Sequence, residues 1–159
     1  MLFLALGASA APPEPEAIVG RDSVTITIEA LEAAENTVDV VVYKFTEETL
    51  LAAVDRAVTR GVRVRILADT PESSSDESLL GAAILAGARV RAWDPKRGKL
   101  HAKFAVFDGR RVLAGSFNWT RSAARSNVEL LISFREPNSV DRFAALFEGL
   151  WKKGRGLRR

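Results

Sequence analysis

The sequence predicts an α/β fold, a single domain in which a mixed β-sheet is sandwiched by helices. Strand-like and helix-like patterns alternate through most of the 159 residues, as is typical of this class. A nearly continuous run of β-branched apolar residues occupies positions 37–43, which predicts a strand covered on both faces. An amphipathic helix pattern follows at 139–153. The length corresponds to one domain.

The elements of the first half follow from local patterns. Residues 23–28 alternate apolar and polar side chains, which predicts a strand, or a lead into the helix expected at 30–35. After the 37–43 strand, Thr46 is predicted to cap a helix whose first turn carries two glutamates, where the helix dipole favours carboxylates. That helix is expected to end at Gly61, before a strand at 62–67.

The second half is predicted in the same way. A Ser-rich acidic loop at 71–78 overlaps the start of a short helix at 77–86. A strand at 89–93 and a turn at 94–98 come next. The remaining strands are expected at 100–107 and 111–114, paired as a hairpin across Asp108-Gly109, and at 127–134.

The first twenty residues differ from the rest. An apolar stretch at 2–6, a small-x-small site at 8–10 and three prolines resemble a secretory signal peptide, although the stretch is short and lacks basic residues before it. We expect residues 1–20 to be a signal peptide and Pro-rich leader, and 21–155 to be the functional domain. The protein would then be periplasmic or secreted. A frayed N-terminus or a short membrane anchor is the alternative, and without a signal the protein would be cytoplasmic.

Composition limits the chemistry. The chain has no cysteine and one histidine, so it has neither a disulfide framework nor the ligands of a common zinc site. We therefore expect no metal and no cofactor. The balance of 23 Lys and Arg residues against 20 Asp and Glu residues is only mildly basic, so the distribution of charge matters more than its sum.

The single histidine, His101, stands two residues before Lys103. On a strand these side chains would share one face, about 7 Å apart along the backbone. An imidazole beside an ammonium suits attack on an anion, because the lysine neutralises charge while the imidazole attacks or moves a proton. The alternative is a buried, hydrogen-bonded histidine with a lysine that reaches solvent. Ser116 and Asn118 repeat the same spacing and add hydroxyl and amide donors.

The whole string of residues favours the catalytic interpretation. His-x-Lys, four residues, Asp108, six residues, Gly-Ser-x-Asn resembles the HKD motif of the phospholipase D superfamily, with every position present. The segments at 42–46 and 60–69 and the sequence Asn127-Val128-Glu129 are also similar to that family. Members include phospholipases, cardiolipin synthases, tyrosyl-DNA phosphodiesterases and short bacterial endonucleases. With one motif, this chain resembles the endonuclease branch or the mitochondrial lipid hydrolase and piRNA nuclease branch.

The resemblance implies a phospholipase D-like fold and a metal-independent phosphodiesterase. His101 would attack phosphorus, while Lys103 and Asn118, with Ser116 nearby, would hold the charged oxygens. Glu129 would accept a hydrogen bond from the other ring nitrogen of His101. Asp108 belongs to the motif but is expected to brace it.

The implied mechanism also needs a second histidine to protonate the leaving oxygen and activate water. Because this chain has one histidine, we expect a homodimer in which two copies of His101 share one site across a twofold axis.

Substrate class is predicted from charge. Residues 89–125 contain ten basic residues and two acidic ones, and five more basic residues follow at 152–159. Arg97, Lys99 and Arg121 are expected to bind substrate phosphates, and Trp119, like Trp93, to stack on bases. DNA or RNA is the expected substrate. Anionic phospholipid is the first alternative, and a non-catalytic nucleic-acid-binding module is the second.

Overall fold

The computed structural model describes residues 15–20, 22–70 and 75–157. A 3₁₀ turn spans Pro95–Arg97. In chain order the elements are β1 (Glu16–Val19), α1 (Asp22–Ala33), β2 (Thr37–Val42), α2 (Glu48–Thr59), β3 (Arg63–Asp69), α3 (Leu80–Leu85), β4 (Arg89–Trp93), β5 (Phe104–Phe107), β6 (Arg111–Gly115), α4 (Arg121–Arg125), β7 (Leu130–Phe134), α5 (Pro137–Lys153) and β8 (Arg155–Gly156).

The strands of the described residues form one eight-stranded sheet in the order β1-β7-β6-β5-β2-β3-β4-β8. Strands β2, β3 and β4 are mutually parallel, and every other neighbouring pair is antiparallel. The predicted β5–β6 hairpin is present, with Phe107 opposite Arg111. The predicted mixed sheet is therefore confirmed.

Helices cover both faces of this sheet. Val40 and its neighbours on one face pack in a core with Leu31 of α1, Leu50 of α2 and Leu80 of α3. Val41 points to the other face and packs in a second core that includes Phe147 of α5. Because β2 is buried on both sides, its sequence is apolar almost throughout, as the run at 37–43 predicted.

The strand predicted at 23–28 is wrong, because these residues lie inside helix α1. The buried residues of α1 include Ser23, Thr27 and Leu31, which recur every four residues and face the core. The Thr27 hydroxyl donates a 2.7 Å hydrogen bond to the Ser23 carbonyl. Packing of this face outweighs the β propensity of the V-T-I-T-I run.

Neither edge strand was predicted from the sequence. Strand β1 pairs antiparallel with β7, although it falls in the segment predicted as a leader. Strand β8 contains only two residues and pairs with β4. The predicted signal peptide and its cleavage site lie outside the described residues. Among the described residues, no helix combines the length and the apolar character that a membrane span requires.

Helix α2 begins one residue later than predicted. Its cap is Glu47, whose carboxylate accepts from the Thr49 backbone N–H at 3.2 Å. Thr46 instead donates its backbone N–H to the Trp119 carbonyl at 2.7 Å. Phe45 and Trp119 also form an isolated parallel bridge. The segment after β2 is therefore fastened to the segment after β6, and this contact shapes the functional site.

Candidate functional site

His101, Lys103, Ser116 and Glu129 lie next to the ends of four strands that are neighbours in the sheet. Strand β2 ends before Tyr43, β5 begins after Lys103, β6 ends at Gly115 and β7 begins after Glu129. The Gly115 N–H donates to the Lys103 carbonyl at 3.2 Å. A Cβ on Gly115 would lie 2.0 Å from the Leu130 carbonyl oxygen, so only glycine permits this approach of β6 to β7.

His101 is exposed and precedes strand β5, which begins at Phe104. The predicted strand over 100–107 is therefore wrong for its first four residues. The segment does not start as a strand because the Leu100 N–H donates to the Asp69 carboxylate at 2.8 Å instead of to a neighbouring strand. Asp69 is buried at the end of β3, so it fixes the segment that carries His101.

His101 and Lys103 are in contact, as predicted, although they do not lie on a strand. Lys103 Nζ lies 3.1 Å from Nδ1 and 3.2 Å from Nε2 of His101. The same ammonium donates to the His101 carbonyl at 2.8 Å. An anion that approaches the imidazole therefore meets a cation at hydrogen-bond distance.

Tyr43 forms an aromatic wall beside this pair. Its ring centroid lies 5.2 Å from that of His101. The ammonium groups of Lys99 and Lys103 lie 4.8 and 5.9 Å from the Tyr43 ring centroid, within the range of cation–π attraction. Tyr43 thus holds the imidazole and two cations around one point. No role for Tyr43 was predicted from the sequence, although it is the single tyrosine of the chain and directly follows a buried strand.

The pKa of Lys103 lies below its usual value. Burial is the main cause, the charge of Glu129 acts in the opposite direction, and the nearby charge of Lys99 lowers the pKa further. A bound phosphate would supply the missing opposite charge and favour the protonated ammonium. Lys103 is therefore suited to stabilise negative charge that develops on a phosphate.

Glu129 is buried, and its carboxylate is held by two side chains. One oxygen accepts from the Ser116 hydroxyl, and the other from the Asn127 amide at 2.9 Å. Ser116 in turn accepts the Leu130 N–H at 3.0 Å. Among the described residues no hydrogen bond joins Glu129 to His101, so the predicted orienting contact is not formed. Glu129 and Ser116 instead lock the start of β7 to the end of β6.

Asn118 is half-buried in the same loop. Its buried Oδ1 atom has no hydrogen-bond partner among the described residues. Buried polar groups are normally paired, and unpaired ones recur at functional sites. This amide therefore has hydrogen-bonding capacity that the fold does not use.

Asp108 lies at the other end of β5, away from His101. Its carboxylate accepts the backbone N–H groups of residues 35, 36 and 37 at 2.8–2.9 Å. Burial alone would raise the pKa of Asp108, but these three bonds and the charge of Arg110 lower it below the usual value. The carboxylate ties the β5–β6 turn to the α1–β2 connection, so its bracing role is as expected and it does not reach the reacting groups.

Replacing Asp108 by Ala should destabilise the fold by about 2 kcal/mol, because three charge-assisted hydrogen bonds are lost. Urea unfolding measures the change. Since the folded pKa is depressed, this stabilisation is present above the unfolded pKa and disappears as pH falls through the folded pKa. The difference between wild type and variant should therefore shrink in acid. Turnover per folded molecule should stay within a few-fold, and a loss above 100-fold would instead make Asp108 catalytic.

Trp119 is not a surface for stacking bases. Its side chain is only 3% exposed and packs edge-to-face on Phe45, with ring centroids 5.1 Å apart. Trp93 is also buried, and its indole donates to the Gly98 carbonyl at 2.9 Å. Both predictions of base stacking are wrong, because these rings fill the core beneath the site.

The predicted phosphate-binding cations are exposed, but the basic residues of 89–125 lie in different parts of the structure. Arg97 and Lys99 lie on the segment that leads to His101. Arg121 begins α4 and pairs with Glu48 at 3.4 Å. By contrast, Arg91 packs over the Trp151 ring, and Arg110 lies at the turn beside Asp108. Basic charge is therefore less concentrated around the site than the sequence pattern predicted.

No cluster of three or more potential metal-binding side chains occurs in the part of the chain that the structure describes. The positive groups at His101 are instead the ammonium groups of Lys103 and Lys99. These groups can neutralise an anion and donate hydrogen bonds to it.

Comparison with known proteins places this geometry in context. The family model described as "Cardiolipin synthase, PLD-like domain" matches residues 27–151. A mitochondrial cardiolipin hydrolase of Chlamydomonas reinhardtii is 35% identical over 124 residues, 78% of this chain and 55% of that protein. The human mitochondrial cardiolipin hydrolase is 33% identical over 134 residues, 84% of this chain and 53% of that protein. The chain thus spans about half the length of these curated relatives.

Two solved structures match over their full length. Nuc from Salmonella typhimurium, a phospholipase D family member, superposes with a TM-score of 0.82 at 26% identity. The match covers 92% of this chain and 100% of Nuc. NucT from Helicobacter pylori matches with a TM-score of 0.77 at 20% identity, over 91% of this chain and 100% of NucT. The second match supports the fold alone.

Proposed function

The chain belongs to the phospholipase D superfamily, and from this membership we propose that it is a metal-independent phosphodiesterase that hydrolyses DNA or RNA. The observation that carries the proposal is the Lys103 ammonium within 3.2 Å of both ring nitrogens of His101. This pair presents a nucleophile and a charge stabiliser to one phosphorus atom.

The first step would form a bond between a ring nitrogen of His101 and phosphorus. The bond from phosphorus to the leaving oxygen breaks, and that oxygen takes a proton from a second imidazole. In the second step the same imidazole removes a proton from water, which attacks phosphorus and releases His101. Lys103 neutralises the non-bridging oxygens in both steps, and the Asn118 amide supplies a further hydrogen-bond donor. The product is a phosphate monoester.

We propose that the second imidazole is His101 of a second copy of the chain. Its own chain offers no other histidine. Glu129 is held by Ser116 and Asn127, and Lys103 is needed as a cation, so neither is a suitable proton donor for the leaving oxygen. A twofold axis beside the exposed imidazole would bring two identical residues together.

Three observations support a nucleic acid as the substrate. The match to Nuc extends over the whole of that chain, and the HKD string resembles that of short bacterial endonucleases. Exposed cations also precede and follow His101 in the chain, at Arg97 and Lys99 and at Arg121. Such a distribution suits a ligand that carries several phosphates.

A phospholipid is the second candidate, supported by a different set of observations. The curated relatives that match are named cardiolipin hydrolases. Beside Glu129, Val128 is 87% exposed and Leu130 is 45% exposed. Apolar side chains at the rim of a site can enter a lipid surface.

Incubation of the purified chain with plasmid DNA, RNA and cardiolipin vesicles, each with and without EDTA, tests the proposal. We expect cleavage of DNA or RNA, with the rate in EDTA within about twofold of the rate without it, because Lys103 and Asn118 supply the stabilising groups. Hydrolysis of cardiolipin alone would favour the second candidate. Binding without cleavage of any substrate would favour a non-catalytic module. Activity that EDTA abolishes and Mg²⁺ restores would contradict the mechanism.

Substituting Arg97 and Arg121 together by Ala should weaken nucleic-acid binding and flatten its dependence on salt. Each phosphate contact adds about 0.9 to the slope of log affinity against log salt concentration, so the slope should fall by up to about two. Fluorescence anisotropy at several salt concentrations measures it.

Arg142→Ala is the matched control, because Arg142 is exposed on α5, which covers the other face of the sheet from α1 and α2. An unchanged slope in the double variant would show that these arginines do not contact phosphates.

A further inference from the structure

A second cavity lies at the end of the β5–β6 hairpin away from His101. Its volume is about 200 Å³, below the roughly 300–1,000 Å³ of clefts that hold drug-sized ligands. Its cations are Arg110, Arg111 and Arg135, and we call it the arginine cavity. The apolar wall consists of Phe107 and alanines around the end of α1. This size and lining suit one small anionic group.

Two of the arginines oppose each other across neighbouring strands. Val112 of β6 pairs with Phe134 of β7, so the next step of this antiparallel register sets Arg111 against Arg135. Like charges directly opposite destabilise a sheet. The arrangement costs stability in the empty protein, and an anion between the two guanidinium groups would relieve it.

These two arginines form no ion pair among the described residues. Arg111 donates its Nε–H to the Ser133 hydroxyl at 3.0 Å. The pKa of Arg111 is lowered first by burial and then by the charge of Arg135, while the charges of Glu16 and Glu29 act in the opposite direction. Among the described residues, neither guanidinium group is within ion-pair distance of a carboxylate.

The acidic groups of the cavity do not replace a ligand. Asp108 uses its carboxylate oxygens on three backbone N–H groups, and Arg110 is the cation whose charge acts on it. Glu35 is exposed to solvent. Arg60 donates to the carbonyls of Leu31 and Ala34, which offsets the negative end of α1. An anion in the cavity thus meets the guanidinium groups of Arg111 and Arg135, which form no ion pair among the described residues.

We propose that the arginine cavity binds the dianionic phosphate of a phosphate monoester. Guanidinium groups bind phosphate oxygens in a bidentate manner, and two of them match the two charges of a monoester. The alanine wall leaves room for the phosphate. Binding itself is independent of catalysis. The source of the ligand rests on the proposed function, because hydrolysis of either a nucleic acid or a phospholipid leaves a monoester.

Calorimetric titration of the full chain with sodium phosphate at constant ionic strength tests the site, and it needs no turnover. The catalytic site can also bind phosphate, so the comparison uses the Lys103→Ala variant. We expect a saturable phosphate site to remain in Lys103→Ala, and to remain when the control substitution Arg142→Gln is added to that background. In the Arg111→Gln, Arg135→Gln double variant on the Lys103→Ala background, affinity should fall at least about tenfold. Unchanged affinity there, or no site in Lys103→Ala, would overturn the proposal.

A stability measurement guards against misfolding as the explanation. In chloride buffer without phosphate, Arg135→Gln should raise the thermal midpoint because the repulsion from Arg111 is removed. On the Lys103→Ala background, phosphate should stabilise the chain that keeps Arg135 and should not stabilise the chain with Arg135→Gln. A lower midpoint of Arg135→Gln in chloride would assign Arg135 a structural role and overturn the proposal.

The chemical form and source of the ligand are resolved by further titrations on the Lys103→Ala background. Methyl phosphate should bind at least about tenfold more tightly than dimethyl phosphate, which carries one charge. A 5′-phosphorylated oligonucleotide and a soluble short-chain phosphatidic acid are compared with their phosphate-free counterparts. The ligand that binds more tightly than its phosphate-free counterpart identifies the source of the monoester. If neither gains, or if dimethyl phosphate binds equally well, a monoester site is contradicted.

Discussion

Replacing His101 by Asn is expected to reduce turnover at least about 10⁴-fold, as removal of a nucleophile does in other enzymes. Nucleic-acid affinity should stay within a few-fold, because Arg97, Lys99 and Arg121 are unchanged. The variant should fold normally, since His101 is exposed and lies outside the strands. Single-turnover kinetics and a separate binding assay measure the two effects.

A phosphorus-labelled substrate gives an independent readout. The wild type should take up label on His101, and the variant should take up none. Lys99→Ala is a matched control, because it removes a cation beside the same Tyr43 ring while keeping the imidazole. It should weaken binding yet still take up label. Turnover of His101→Asn within tenfold of the wild type would exclude His101 as the nucleophile.

Tethering one wild-type chain to one His101→Asn chain should remove nearly all steady-state activity, by at least about 100-fold, which is the contribution of a general acid. In a shared site, the remaining His101 has no partner imidazole to protonate the leaving oxygen. Two independent sites would instead leave half of the activity. Steady-state rates of purified tethered proteins at equal concentration distinguish these outcomes.

Two further tethers make the comparison quantitative. A tether of two wild-type chains sets full activity, and a tether of wild type to Arg142→Ala shows that a neutral substitution on α5 has no effect. The shared site would be contradicted if the His101→Asn tether kept half of the activity. It would also be contradicted if the wild-type chain were monomeric in sedimentation velocity and fully active at the same concentration.

The sequence predicted the contact between His101 and Lys103 better than it predicted the helices and strands around it. His101, Lys103 and Ser116 could be grouped because their order and spacing form one string. Their assignment did not depend on the backbone conformation, and the His101–Lys103 contact exists although the expected strand begins only at Phe104. Asp69 was not foreseen, because its contact with the Leu100 N–H spans 31 positions of the chain.

The main errors share one physical cause, which is that burial depends on distant partners. The V-T-I-T-I run has strand propensity, yet the Ser23–Thr27–Leu31 face packs as a helix. Trp119 directly follows Asn118, a predicted site residue, yet its ring packs in the core against Phe45. Neither orientation is encoded in neighbouring residues, because each depends on which elements the sheet brings together.

The bridge between Phe45 and Trp119 has a consequence for inactivation by heat. Tyr43 and Asn118 are each separated by one or two positions from these two rings, which are among the buried residues of the core. Their surroundings cannot loosen unless the aromatic packing beneath them loosens too. Local opening of the site should therefore require nearly the free energy of global unfolding. Loss of activity and loss of near-ultraviolet circular dichroism should then follow one melting curve, without a range of temperatures in which a folded chain has lost its activity.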